Sequence, residues 1–244
     1  MPNWCQNTLL VQGPKEDIHK FLKDSANVPA YYFEHGWAEE AQRTNPYFCF
    51  SGLAPIPEVI LQKHKAQSDI YHKDLARWRE ACQRVRDENP GQPDDQLTFP
   101  DHSTFRSPEF DQKVMEAWYD WSCKNWGTKW DIGPDARIAD NTTAQNPFVR
   151  INFDTAWAPP VRWLAKAARL FPTLSFTLEY EEPGMAYAGV AVAKGGRLIR
   201  DDCHQMTEAE MRARHPDWDW DVGATVAETT ASGNATNPTK GESE

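Results

Sequence analysis

The chain has 244 residues and carries 36 acidic and 26 basic side chains, which give a formal net charge of −10 at pH 7. This length allows one domain with an insertion or two small domains, and it is enough to bury about two-thirds or more of the unfolded surface. The acidic balance argues against simple electrostatic binding of nucleic acid. No apolar run reaches about eighteen residues, so neither a transmembrane helix nor a membrane partner is expected.

Five cysteines lie at positions 5, 49, 82, 123 and 203, and no two of them form a C-x-x-C pair. An odd number of widely spaced cysteines predicts reduced thiols rather than a disulfide framework or an iron–sulfur site. The N-terminus has no basic region followed by an apolar one, so no secretory signal is visible. These features predict a cytoplasmic protein.

The N-terminal quarter begins with a strand and a helix. A short apolar run at 8–11 ends at Gly13-Pro14, and an apolar stripe over 18–22 then predicts a helix. Residues 31–50 are aromatic and ambiguous, although Phe48-Cys49-Phe50 favours a strand.

Residues 58–108 have the pattern of an insertion that carries a long, charged helix. Its apolar side chains form a narrow seam at Tyr71, Leu75, Trp78, Cys82 and Val85. We expect this seam to pack on a helix over Phe110–Trp121 as a helical hairpin, and the alternative is a seam for a dimer or another partner. Between Pro90 and Pro108 we expect a polar, irregular loop that a protease cuts first.

Residues 118–131 hold four of the chain's eleven tryptophans. Phe110, Val114, Trp118 and Trp121 share one helical face, and Gly127 is typical of a position just past the end of a helix. An aromatic helix therefore runs directly into a polar, aromatic turn.

Regular patterns continue in the C-terminal half. Val149–Asp154 alternates apolar and polar residues, which predicts a half-buried strand, and 161–171 has the stripe of an amphipathic helix. Strands are predicted over 174–180 and 185–193, and Lys194–Arg197 predicts a hairpin turn into a last strand.

The C-terminus combines a short helix and a polar tail. Thr207 and Glu210 form a capping box for the helix. Half of the net charge lies in residues 217–244. From Val222 onwards the composition predicts a disordered tail, and its removal is expected to shift the melting temperature by no more than about a degree or two.

This order of elements predicts an α+β fold of the split βαβ kind, with helices on one face of an antiparallel sheet. The sheet is expected to use residues 8–50 and 148–200, backed by helices near 15–24 and 160–171. The predicted domains are a sandwich of 1–57 and 125–221, a helical insertion at 58–124, and a disordered tail at 222–244.

Several strings resemble a known family. They are the opening Met1–Asn7, the segment Phe50–Pro57, N-W-G-T-K-W-D at 125–131, T-A-W-A-P-P at 155–160, and Tyr180–Gly184. Over about residues 1–200 the chain resembles the YubB-type ferredoxin-like domain family of phage, plasmid and bacterial proteins. The resemblance implies a ferredoxin-like topology without iron and a role on mobile elements, but no defined activity.

The same strings supply the candidate binding residues, which are Trp4, Asn7, Asn125, Trp126, Thr128, Lys129, Trp130, Asp131, Thr155 and Trp157. The four tryptophans either stack on nucleobases or fill a core, and the acidic charge favours the core. Lys129 and Asp131 either serve as structural polar groups or line a catalytic cleft, and the structural role is the commoner one. We expect Trp126–Asp131 to pack beside Thr155–Pro160 and Trp4–Asn7 as one corner of the domain.

No motif for catalysis or for a cofactor is present, so no catalytic residue and no cofactor is assigned. Asp201-Asp202-Cys203-His204 offers ligand types for a metal. Adjacent residues do not complete a coordination sphere, however, and no metal ligand is assigned.

Two classes of function stay open. The first is a non-catalytic accessory protein of a phage or plasmid that binds a host or phage macromolecule, with an anti-defence role as one version. Its partner would be a protein, including a nucleic-acid-binding one. The second is an enzyme or small-ligand-binding module with a cleft of Trp, Asn, Lys and Asp side chains. The charge does not favour direct nucleic-acid binding, and the sequence leaves the oligomeric state open.

Overall fold

The structure, a computed structural model, describes residues 3–27, 46–133, 135–143, 145–218 and 220. The chain divides into two units, Met1–His204 and Gln205–Glu244. The predicted disordered tail and much of the ambiguous segment at 31–50 lie outside the described residues.

The first unit is built on a sheet of six strands in the order β4-β5-β1-β6-β7-β8. A separate two-stranded sheet pairs β2 with β3. The strands are β1 Trp4–Gln12, β2 Ala26–Asn27, β3 Tyr47–Phe48, β4 Arg137–Asp140, β5 Phe148–Ala156, β6 Ser175–Glu182, β7 Tyr187–Lys194 and β8 Arg197–Gln205. The helices are α1 Lys15–Asp24, α2 Phe50–Leu53, α3 Glu58–Glu88, α4 Gln112–Asn125, α5 Val161–Leu170 and α6 Glu208–Arg214.

The central strand β1 confirms the predicted pairing of the two halves of the chain. Leu9 lies opposite Ile151 of β5 and Leu178 of β6, and all three side chains are buried. Both neighbours run antiparallel to β1, so β5 and β6 are parallel to each other. Because α5 connects them around β1, this is the split βαβ arrangement that the order of elements predicted.

The helices α1 and α5 meet in a single core over the sheet. The ring centroids of Phe21 from α1 and Trp163 from α5 are 6.3 Å apart, and Phe176 of β6 lies 5.4 Å from Phe21. This packing explains the stripes of the two helices and confirms the α+β fold with helices against an antiparallel sheet.

One local prediction about strands was wrong, and one strand was missed. Tyr47–Phe48 forms a strand, but it belongs to the small sheet, and Phe50 already begins α2. The reason lies far along the chain, because the carboxylate of Asp131 accepts hydrogen bonds from the first amides of α2. The strand β4 was missed since its four residues are all exposed and show no apolar alternation.

The insertion forms the predicted pair of antiparallel helices, α3 and α4. His64 contacts Trp118 with ring centroids 6.0 Å apart. Tyr71, about two turns further along α3, contacts Phe110, which precedes α4, at 5.9 Å. The second half of the seam does not pack on α4, however. Trp78 instead donates from Nε1 to the carbonyl of Pro100 in the returning segment, at 2.9 Å.

The returning segment between α3 and α4 is tethered, which corrects the expectation of a wholly irregular loop. It contains two short 3-10 turns, at Asp94–Gln96 and His102–Phe105. The buried carboxylate of Asp74 accepts hydrogen bonds from the backbone and hydroxyl of Ser107, at 2.8 and 2.6 Å.

In the second unit, α6 begins as the capping box predicts, with the Thr207 hydroxyl accepting from the Glu210 amide at 3.2 Å. Among the described residues, no helix is long and apolar enough to cross a membrane.

Candidate functional site

The start of β1 and the end of β5 are joined by buried polar side chains. Asn7 donates from Nδ2 to the Thr155 hydroxyl at 2.9 Å and to the carbonyl of Cys5 at 2.8 Å. The Thr155 hydroxyl donates in turn to the carbonyl of Ala158, at 2.8 Å. Thr155 therefore fixes the connection that follows β5, and Asn7 holds the Thr155 hydroxyl in position.

The turn after α4 closes on this connection. The Thr128 hydroxyl donates to the carbonyl of Ala156 at 2.8 Å. Gly127 has a φ of 93°, and a Cβ placed there would lie 3.2 Å from the carbonyl oxygen of Pro159. Glycine is required here because the backbone is left-handed and the two segments approach closely.

Trp126 is a core residue that ties three elements together. Its indole Nε1 donates to the carbonyl of Ala54 at 2.9 Å, and its own carbonyl accepts from the Trp163 amide at 3.1 Å. The side chain is buried. A fully hydrogen-bonded, buried indole is a scaffold element rather than a contact surface.

Asp131 is enclosed and accepts from three backbone amides. Oδ1 lies 2.5 Å from the amide of Phe50 and 2.8 Å from that of Ile132, and Oδ2 lies 3.0 Å from that of Ser51. Burial raises the pKa of Asp131 to about 6, although these hydrogen bonds oppose the shift. The Asp131 carboxylate thus accepts hydrogen bonds from the first two amides of α2 and caps the start of this helix, which is a structural role.

The outer surface of the same corner is aromatic and carries one cation. We call it the tryptophan corner and define it by Trp4, Tyr119, Lys129, Trp130 and Trp157. The Trp4 and Trp130 ring centroids are 6.1 Å apart, and the Lys129 ammonium lies 4.6 Å from the Trp130 ring and 5.6 Å from the Tyr119 ring. Trp4, Tyr119 and Trp157 are 45%, 41% and 49% exposed.

Trp157 has a backbone conformation that is rare for a large side chain. Its φ is 71°, in the left-handed region where residues other than glycine, asparagine and aspartate pay a steric cost. Its amide donates to the carbonyl of Asn3 at 3.0 Å, and its carbonyl accepts from the Tyr187 hydroxyl at 2.8 Å. Hydrogen bonds to its amide and to its carbonyl therefore hold the strained backbone of Trp157 in place, while its indole is half exposed.

The expected corner is present, and the structure divides its candidate residues into two sets. Asn7, Trp126, Thr128, Asp131 and Thr155 are buried and frame the corner. Trp4, Lys129, Trp130 and Trp157 form its surface. Asn125 belongs to neither set, because its Nδ2 donates to the Trp121 carbonyl at the end of α4, at 2.8 Å.

The sequence analysis missed one residue of the corner and two residues that hold it in place. Tyr119 lies off the apolar stripe of α4, and an off-stripe aromatic residue is a usable signal for a surface contact. Asn3 and Tyr187 act through hydrogen bonds to the backbone of Trp157. No sequence pattern marks such contacts, since they join strands that are far apart in the chain.

The segment with metal-ligand types, Asp201–His204, lies on the exposed strand β8. Asp202 is engaged there by Arg200, at 2.5 Å. Within the described ranges, no three His, Cys, Asp or Glu side chains are grouped so as to hold a metal ion.

Residues 126–217 match a family model described as the ferredoxin-like domain in Api92-like protein. This domain has no known function. The match begins at the turn after α4 and includes the Thr155–Pro160 connection, so it covers two of the three segments that meet at the corner. The YubB-type name and the mobile-element context rest on the resemblance of short strings alone and remain predictions.

Two further comparisons add less. No curated protein matches the chain. The crystal structure of a protein Api92 from Yersinia pseudotuberculosis aligns with 85% of this chain and 99% of its own, with 10% sequence identity and a TM-score of 0.40.

Proposed function

We propose that this protein is a non-catalytic binding protein and that the tryptophan corner is its contact surface. The partner we propose is another protein, with an apolar or aromatic surface and a carboxylate that reaches Lys129. This role belongs to the first unit of the chain, in which all five corner residues lie.

The observation that carries the proposal is the state of Trp157. An indole that only filled space would be buried at an ordinary backbone angle, whereas Trp157 is half exposed at a φ of 71°. Strained residues that the surrounding structure holds in place cluster at functional sites. Exposed Trp and Tyr side chains are also the types that contribute most binding energy at protein interfaces.

The buried frame supports a binding role over a catalytic cleft. The polar groups that a cleft would use as acid, base or anchor, those of Asn7, Thr155 and Asp131, are hydrogen-bonded to the protein itself. A catalytic group needs free reach to a substrate. Enclosed side chains whose partners are backbone groups supply rigidity instead.

The charge of the corner supports a protein partner over a nucleic acid. Lys129 is the single cation of the five residues, and among the described residues it contacts rings rather than a carboxylate. Nucleic-acid surfaces need several phosphate contacts to bind at physiological salt. An ammonium that lies against two rings suits a single carboxylate on a partner.

Within this proposal, the finer role is that of an accessory protein of a phage or plasmid that acts on a host or phage protein, with opposition to a host defence as one version. That part rests on the family resemblance of the strings at 1–7, 125–131 and 155–160.

The test is affinity capture with the tagged full chain from bacterial extracts, with and without phage infection. We expect specific proteins to be lost from both the Trp157→Ala and the Lys129→Ala captures and to be retained by Trp218→Ala. Trp218 is the matched control because it is 46% exposed and lies in the second unit. Identical captures by the parent and both corner variants would refute the proposal. Corner-dependent binding of a single-stranded oligonucleotide would replace the protein partner with a nucleic acid.

A further inference from the structure

The helical insertion has a half-open cavity at its surface that the proposed function does not use. Its volume is about 420 Å³, and its walls are formed by Trp78, Arg79, Cys82, Gln83, Arg86 and Phe99. Five of the six residues come from one face of α3, and Phe99 comes from the returning segment. This volume lies within the range of about 300–1,000 Å³ that is typical of small-molecule pockets.

Two tethers fasten the returning segment to α3. At one end, Trp78 donates to the Pro100 carbonyl at 2.9 Å. At the other end, Arg86 binds both carboxylate oxygens of Asp94, with its closest contacts at 3.0 Å. Because Trp78 and Arg86 are eight positions apart on a helix, the tethers lie about 12 Å apart along its axis. Phe99 lies in the segment between them and lines the cavity.

The cavity joins an aromatic interior to a cationic edge. Trp78 and Phe99 supply two flat rings, and the buried side chain of Cys82 supplies a small apolar floor. The guanidinium of Arg86 lies 4.9 Å from the centre of the Phe99 ring, but Asp94 already neutralises it. Arg79 differs, since no described residue forms an ion pair or hydrogen bond with it.

We propose that this cavity binds a small, flat aromatic molecule that carries one carboxylate. The ring of the ligand packs against Trp78 and Phe99, and its carboxylate is bound by Arg79. The Gln83 amide donates one hydrogen to Asp87, at 2.9 Å, and its other N–H is the second donor to the ligand. An aromatic ring gains from offset or edge contacts with both side chains. The planar guanidinium of arginine matches the two oxygens of a carboxylate. No described carboxylate lines the cavity to compete for Arg79.

The test uses a pair of probes that differ in charge alone. Indole-3-acetate and its neutral amide, indole-3-acetamide, are titrated into the full chain by calorimetry, with amide shifts from NMR to locate the site. We expect saturable binding of indole-3-acetate, with shifts centred on residues 78–86 and 99. The neutral amide should bind more weakly.

Matched variants separate the proposed contacts from general charge. Arg79→Gln should weaken indole-3-acetate binding by about tenfold, about 1.4 kcal/mol, and leave the amide unchanged. Arg84→Gln removes the same charge from the same helix but lies outside the lining, so it should alter neither affinity by more than about twofold. Phe99→Ala should weaken both probes, and circular dichroism checks that it stays folded.

Three results would overturn the inference. The first is the absence of saturable indole-3-acetate binding to the folded parent protein up to about 10 mM, the weak end of small-ligand affinity. The second is an equal loss of affinity in Arg79→Gln and Arg84→Gln. The third is a set of NMR shifts centred on the tryptophan corner instead of the insertion.

Discussion

The Tyr187 hydroxyl donates a 2.8 Å hydrogen bond to the carbonyl of Trp157, whose φ is 71°. Burial is the main reason that the pKa of Tyr187 lies well above its usual value, so the hydroxyl keeps its proton for this bond. Tyr187 is the first residue of β7, the second strand after α5. Its hydrogen bond therefore fixes the connection between β5 and α5. The strained residue is thus held by the sheet rather than by its own neighbours in the chain.

The first prediction concerns Trp157→Gly. Glycine adopts a left-handed backbone freely, so the substitution should relieve about 1–2 kcal/mol of steric cost. This gain should offset most of the loss from removing a half-exposed ring. We expect a free energy of unfolding within about 1 kcal/mol of the parent, measured with urea, together with the loss of partner capture. Trp157→Ala keeps the steric cost and should be less stable than Trp157→Gly; the reverse order would show that the φ of 71° carries no strain.

The second prediction contrasts the frame of the corner with its surface. Trp126→Ala should lower the free energy of unfolding by about 3–5 kcal/mol, because it empties a buried site and leaves the Ala54 carbonyl without its donor. Lys129→Ala should change it by less than about 1 kcal/mol, because the ammonium makes cation–π contacts at a partly exposed site. Chemical denaturation measures both free energies of unfolding. Partner capture is then compared under conditions in which both variants are folded. If Lys129→Ala both unfolds and binds like the parent, Lys129 belongs to the scaffold alone.

The third prediction concerns the pH dependence that Asp131 confers. Its pKa rises from an ordinary value of 3.8 to about 6 on folding, chiefly through burial, so the folded protein holds this proton more tightly than the unfolded chain. The stabilisation from this proton is therefore full below about pH 4 and is lost as pH rises through about 6. The change approaches about 3 kcal/mol, since one pKa unit corresponds to about 1.4 kcal/mol.

The measurement is the free energy of unfolding of the parent relative to Asp131→Asn between about pH 3.5 and 7.5. Asparagine cannot titrate, so the difference between the two proteins isolates Asp131. We expect the advantage of the parent to shrink with rising pH and to level off above about pH 7. An advantage that grows with pH would show that the three amide hydrogen bonds outweigh burial and that the pKa is lowered.

The sheet was predictable from sequence because its signal is local. Apolar and polar residues alternate along β5, and the same spacing in β1 and β6 brings Leu9, Ile151 and Leu178 to one face. The strand β4 has no such alternation, since both of its faces are exposed. It pairs through its backbone, which leaves no pattern in the side chains.

The corner was predictable as a place but not as a surface. Its strings of tryptophan, glycine and hydroxyl residues indicate where three segments meet. They do not distinguish Trp126, which is buried, from Trp4, which is 45% exposed. That difference depends on whether an element from elsewhere in the chain covers the ring, and burial is not a local property of the sequence.

The tethers of the insertion were missed for a similar reason. Asp74 and Ser107 are 33 residues apart, and a polar segment with prolines has the composition of a loose loop. The buried carboxylate of Asp74 accepts two hydrogen bonds from Ser107 and one from Arg77, at 2.6 Å. A segment fixed by a buried, hydrogen-bonded charge is ordered despite its composition.

The fourth prediction follows from this tether. Chymotrypsin at neutral pH should cut the parent slowly after Phe105, which is followed by Arg106, and Asp74→Asn should speed this cut several-fold. The amide side chain turns one acceptor into a donor, so Ser107 loses a partner and the segment opens more often. Asp69→Asn is the matched control, because Asp69 lies on the same helix and makes only an exposed contact of 3.9 Å with Lys65. Equal cutting of the two variants would show that the segment is held by its other contacts.

The same tether predicts a dependence on acid. Hydrogen bonds from Ser107 are the main reason that the pKa of Asp74 lies below its ordinary value of 3.8. The folded protein therefore holds this proton more weakly than the unfolded chain, so the stabilisation is present above about pH 4 and is lost as pH falls through the lowered pKa. We expect the parent to be more stable than Asp74→Asn at pH 7 and the difference to shrink below about pH 4. A difference that stays constant down to pH 2 would mean that Asp74 acts through its shape rather than its charge.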